Sequence, residues 1–218
     1  MAPPHTHGPS NDNMKLFYTP ATGALACWIA LEWAGLDYEV EAVEAPLSRH
    51  QMTKPLALVP IADHRGSRCM TQPGAVLRYI ANRSGQPSLG AEPGVDAGLE
   101  FDEAMFFLSG DFHPAFRAWF SPRCFTERRD TESLTSVRTA ALARVDRVLT
   151  QLDRLIGETG HVHRGKRTVA DAYAFAMTRW AGNLPKTWRD YPNLTQFMDE
   201  SLTDDTVRKV LRATGGRG

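Results

Sequence analysis

Three observations predict an α/β domain followed by an all-α helical domain. Between residues 14 and 84 the apolar pattern switches between period two and helical spacing. Residues 85–94 are rich in proline and glycine and carry no periodicity, as a linker would. From residue 95 onward every apolar stripe recurs at steps of three and four.

The elements follow in order. Residues 1–13 are polar, with proline, glycine and two histidines, and read as a disordered leader. Lys15 to Tyr18 is a short strand. After the loop Thr19-Pro20-Ala21-Thr22-Gly23, a helix is expected from about Ala24 to Ala34, closed by Gly35. Tyr38 to Val43 alternates with period two, so strand, helix and strand form a right-handed parallel unit. Pro55 to Ala62 is an apolar strand, residues 63–67 are a polar turn, and Arg68 to Thr71 returns. Pro60 cannot donate to a ladder, which places it at a sheet edge and leaves the backbone of Val59 open to an extended peptide. Gln72-Pro73-Gly74 opens a helix through Ile80, whose first N–H groups and dipole favour a carboxylate. These two features describe a pocket for a small peptide with a free carboxylate.

Beyond the linker, Phe101, Met105, Leu108, Phe112, Phe116 and Trp119 mark one helical stripe, bent or broken by Gly110 and Pro114. Leu134, Val137, Ala141, Val145, Val148, Leu152 and Leu155 mark a second, amphipathic helix. Thr168 and Asp171 read as a capped helix start for a buried helix through Tyr173, Phe175 and Trp180. A shorter helix starts at Tyr191-Pro192, and Val207, Val210 and Leu211 form a last turn.

Composition removes several function classes. Lys plus Arg and Asp plus Glu number 25 each, so no overall field draws nucleic acid or an anionic membrane. No apolar run approaches the roughly 20 residues of a membrane helix, no secretory pattern opens the chain, and the protein reads as cytoplasmic. Cys27, Cys69 and Cys124 are far apart without CxxC spacing, against a disulfide framework or a zinc site, and no metal is expected. His161-Val162-His163 reads as loop.

Residues 14–20 (MKLFYTP), Val59-Pro60, Thr71-Gln72, residues 111–116 (DFHPAF), residues 167–173 (RTVADAY) and residues 191–194 (YPNL) together resemble the cytosolic glutathione transferases, most closely the bacterial beta class. The likeness covers residues 14 to about 212, with every element in family order. It implies a thioredoxin-like first domain that binds glutathione, a helical second domain lining the substrate cleft, a cis peptide at Val59-Pro60 and a homodimer. It also implies that Val59, Pro60, Gln72 and Pro73 hold glutathione, and that a donor near the first strand stabilises its thiolate, the stronger nucleophile.

Several positions depart from the family pattern. Gly23 stands where the beta class has its cysteine, leaving the donor role to the hydroxyl of Tyr18 or of Thr22, or leaving Thr22 as a helix cap. Gln72 replaces an acidic residue, a loss of about 1 to 2 kcal/mol in a charge-assisted bond. Lys54 to Leu58 replaces a polar turn, and Pro114 replaces the lysine after His113, the catalytic candidate of the helical domain. Phe116, Trp119, Phe120 and Trp180 are expected to wall a pocket for a small hydrophobic electrophile. The resulting expectation is a glutathione-dependent conjugation, isomerisation or elimination. The departures support a second reading, a non-catalytic or glutathione-independent ligand binder on the same scaffold.

Overall fold

The computed structural model describes residues 14–19, 22–43, 61–64, 68–85 and 89–215. The leader, the Lys54 to Leu58 turn, and Val59 with Pro60 lie outside them. Strand β1 (Met14–Tyr18) leads through helix α1 (Ala24–Ala34) to β2 (Tyr38–Ala42), then to β3 (Ile61–His64), β4 (Arg68–Met70) and α2 (Pro73–Arg83). The sheet order is β2-β1-β3-β4, with β1 parallel to β2 and antiparallel to β3.

The edge placement read from Pro60 lies outside the described residues. The strand that follows it, β3, is internal, paired with β1 on one side (Leu16 opposite Ala62) and β4 on the other (Ala62 opposite Met70). The described ladder of β3 runs over Ile61–His64.

Helices α3 (Val95–Phe107), α4 (His113–Phe120), α5 (Thr131–Ile156), α6 (Val169–Thr178), α7 (Pro192–Thr203) and α8 (Asp205–Ala213) form the second part. The expected break between α3 and α4 is instead a widened turn. Leu108–Phe112 is a π segment in which the His113 N–H donates to the Leu108 carbonyl, five residues back. Pro114 lacks an N–H and its ring would press on the Gly110 carbonyl, so one wider turn relieves the conflict without interrupting the helix. The last turn expected near Val207 is a nine-residue helix, α8, capped by the Asp204 carboxylate, which accepts from the Val207 N–H at 2.9 Å.

The core lies where α1 meets α6. Eight of the eleven residues of α1 and all ten of α6 are buried, with alanine at four positions of each. A helix buried all round must meet neighbours on every side, and small residues let those neighbours approach closely. Phe101, Phe112, Phe116, Tyr173 and Phe175 fill the space around it. Each fully buried Phe contributes about 1.5 to 3 kcal/mol relative to its exposed state. Arg78 of α2 pairs with Asp102 of α3, joining the two parts across their surface.

Candidate active site

The start of α2 is turned toward the helical part. A Cβ built on Gly74 would lie 3.4 Å from Ser109 Cβ in the π turn and 4.0 Å from the Tyr173 ring on α6. Immediately before it, Gln72 holds φ 72° and ψ 114°, outside the conformations a glutamine normally adopts. Its side chain is exposed and caps nothing, whereas Pro73 is buried at the first turn. Strain of this kind costs on the order of 1 to 3 kcal/mol and persists where the surroundings over-determine it.

Gly23 is packed shut. A side chain there would place its Cβ 3.0 Å from Pro73 Cγ and 3.7 Å from Met177 Cε. The position has an ordinary helical φ of −62°, so the constraint is space and not backbone strain. The proline that follows Gln72 therefore occupies the room that a cysteine at residue 23 would need.

The candidate hydroxyls have partners of their own. Thr22 Oγ1 donates to the Thr19 carbonyl at 2.7 Å and accepts from the Ala24 N–H at 3.3 Å, so its proton is spent on the backbone. Tyr18 is 7% exposed and meets Trp28 edge to face at 5.3 Å. Burial raises its pKa, opposed by Thr214 and by the Arg179 charge. Cys27 is fully buried, and burial raises its thiol far above the usual range, which makes it inert.

On the helical side, His113 Nδ1 lies 3.0 Å from the Tyr173 hydroxyl. The imidazole is half-buried and meets the Trp180 ring edge to face at 5.1 Å. Burial, aided by the Arg117 charge, lowers its pKa, so at neutral pH it is uncharged. His113, Phe116 and Phe120 share one face of α4 at helical spacing. Phe116 stacks on Phe120 at 6.2 Å, and Trp180 meets both edge to face at 5.6 and 5.7 Å. Trp119 is turned off this face and packs, half-buried, against the core. The structure thus brings together Gln72, Pro73 and Gly23 in one corner, and His113, Phe116, Phe120 and Trp180 in another. Tyr18 and Thr22 belong to the β1–α1 side.

Two residues had no role in the sequence reading. The apolar pattern marks Tyr173 only as core, although a buried phenol on an otherwise apolar helix demands a hydrogen-bond partner, which is the available signal. Arg179 lies 5.9 Å over the Phe175 ring with Nη1 buried and, among the described residues, unpartnered, and nothing in its sequence surroundings marks it.

A small mixed sheet preceding a helical domain, with the start of α2 turned to the π turn and α6, is the glutathione transferase fold. No family model matches the chain. It is 29% identical over 213 residues to the glutathione S-transferase GST-4.5 of Xanthomonas campestris, covering 93% of this chain and 99% of the relative. Its fold is similar to a glutathione S-transferase from Xylella fastidiosa, with a TM-score of 0.85, 23% identity and coverage of 94% and 100%. Two sphingomonad enzymes, the bacterial beta-class one of Sphingomonas chungbukensis and one complexed with glutathione, are each 26% identical. Their TM-scores are 0.77 and 0.79, with coverage of 92% of this chain and 98% of each. These likenesses support a glutathione transferase superfamily member close to the beta class, and a glutathione transferase-like enzyme.

Proposed function

We propose that the protein binds glutathione at the start of α2 and directs its thiolate at a small hydrophobic electrophile held against Phe116, Phe120 and Trp180. The observation that carries this reading is the conformation of Gln72. A non-glycine residue held at positive φ beside the free N–H groups of a helix start points to a backbone shaped for a ligand. Gln72 and the first turn of α2, with Val59 and Pro60, which precede β3 in the sequence, hold the peptide and its carboxylate. A relative solved with glutathione bound supports the same cosubstrate here.

With residue 23 a packed glycine and the Thr22 proton engaged by the backbone, the donor to sulfur comes from the helical side, through His113. An uncharged imidazole N–H lowers the thiol pKa by bonding to the thiolate without needing to lose its own proton. The aromatic wall then takes the apolar body of the electrophile; the thiol proton passes to solvent, and the carbon–sulfur bond forms as the thiolate attacks, with the displaced electron pair leaving on the electrophile's leaving group or moving into its conjugated acceptor. Val95, Leu99 and Phe106 on α3 are 89%, 59% and 73% exposed, and this apolar stripe supports a homodimer. No helix among the described residues is long and apolar enough to cross a membrane; a cytoplasmic location remains part of the proposal.

Calorimetric titration with glutathione tests the reading. Binding that weakens about tenfold in Gln72→Ala is expected from loss of one bond to a charged group. An absence of binding at millimolar glutathione overturns it.

A further inference from the structure

We propose that Tyr173 is a positioning residue: its phenol donates to His113 Nδ1 and fixes the tautomer that carries the imidazole proton on Nε2. The hydroxyl and Nδ1 are 3.0 Å apart, and the two residues sit 60 positions apart in the chain, on α6 and α4. Tyr173 is 0% exposed, and its ring meets His113 edge to face at 6.2 Å.

A 3.0 Å contact between a phenol and an imidazole nitrogen has two possible directions. If Nδ1 carried the proton and donated to the phenol oxygen, the phenolic proton would need another acceptor. Among the described residues His113 is the hydroxyl's one hydrogen-bond partner, and a buried donor left unpaired is costly. If the phenol donates, its proton and the Nδ1 lone pair are both satisfied, and the ring proton must reside on Nε2. Both groups are held neutral in the folded protein. Burial raises the Tyr173 pKa, with the nearby Cys27 adding to it, and burial lowers that of His113. An ion pair between them is therefore not an alternative.

The consequence for chemistry rests on the glutathione-dependent reading. An imidazole with hydrogen on Nε2 offers a donor and has no lone pair left to accept a proton. His113 then acts as a hydrogen-bond donor to the thiolate and not as the base that removes the thiol proton. Its only basic nitrogen is occupied by Tyr173. The π turn matters here, because it sets the rotation of α4 that brings Nδ1 onto α6.

The first test is nitrogen-15 NMR of the histidine side chains in the free protein, with His113 assigned by its absence in His113→Asn. The expected pattern at neutral pH is a pyridine-like Nδ1 and a pyrrole-like Nε2, changing to mixed tautomers in Tyr173→Phe. A protonated Nδ1 in the wild-type protein overturns the proposal even if the variant fails to fold. The second test is the ultraviolet titration of the glutathione thiol in the complex. In Tyr173→Phe the thiol pKa should rise by about half a unit to one unit while the affinity for glutathione holds within threefold. An unchanged tautomer and an unchanged thiol pKa in the variant also overturn it. Because the NMR measurement needs no glutathione, a protein that does not bind the tripeptide would fail the proposed function and leave the tautomer assignment standing.

Discussion

Helix α6 carries two buried polar corners, and they are built to opposite ends. At its start the Asp171 carboxylate, 3% exposed, is saturated. It accepts from the Thr168 N–H at 2.6 Å, the Thr168 hydroxyl at 3.1 Å, the Val162 N–H at 2.9 Å and His161 Nδ1 at 3.3 Å. Two residues on, Tyr173 makes a single bond to His113, whose other nitrogen has no partner among the described residues. A corner with every lone pair used can only hold the chain together. A corner that orients a ring and leaves one nitrogen open can do chemistry as well.

The comparison can be broken from its structural side first. Asp171→Ala should cost about 3 to 5 kcal/mol, because it strips partners from several buried donors at once. Urea unfolding measures this, and a loss below about 1 kcal/mol would show that the corner is not saturated in solution. On the open side, His113→Ala should cost about 1 to 3 kcal/mol by unpairing the Tyr173 hydroxyl and lower kcat/KM by about 10- to 100-fold, the scale of one donor lost from a transition state. Steady-state kinetics with a model electrophile and excess glutathione reads this, and an unchanged rate would remove His113 from the chemistry.

A third prediction concerns the corner at residue 23. Gly23→Cys, which restores the beta-class residue, should destabilise by about 1 to 2 kcal/mol through overpacking against Pro73, without raising activity. Relief of the stability loss by Pro73→Ala would locate the conflict. A stable and more active Gly23→Cys would show that α2 yields easily.

The smallest effects are in pH dependence, where two histidines pull in opposite directions. The Asp171 carboxylate raises the pKa of His161 by a hydrogen bond, so this histidine contributes stability below about pH 6.5 that is lost as pH rises through the folded value. Burial lowers the pKa of His113, so its contribution is full above about pH 6.5 and falls away as pH drops below it toward the folded value. His161→Gln should therefore cost more stability near about pH 6 than near about pH 8. Equal urea-midpoint losses at both would deny the His161–Asp171 coupling.

Local signals carried most of the fold. Gly35 ends α1 at φ 61°, and the Thr168–Asp171 pair closes its capping box, because a glycine and a cap act through the nearest few residues. What the sequence left unread depends on partners far along the chain. The pairing of β3 with β1 joins residues some 46 positions apart (Leu16 opposite Ala62). The closure of Gly23 comes from Pro73 and Met177, and the role of Tyr173 from a contact across 60 residues. A pattern of three or four residues cannot encode any of these.

The π turn has a consequence for how this protein tolerates length changes. Each residue of an α-helix advances the side-chain direction by about 100°, so the surplus residue of the wider turn works as a phase shifter between α3 and α4. Removing one residue from Leu108–Phe112 would straighten the helix and improve its hydrogen bonding. It would also swing His113, Phe116 and Phe120 together away from Tyr173 and Trp180, trading the site for a better helix.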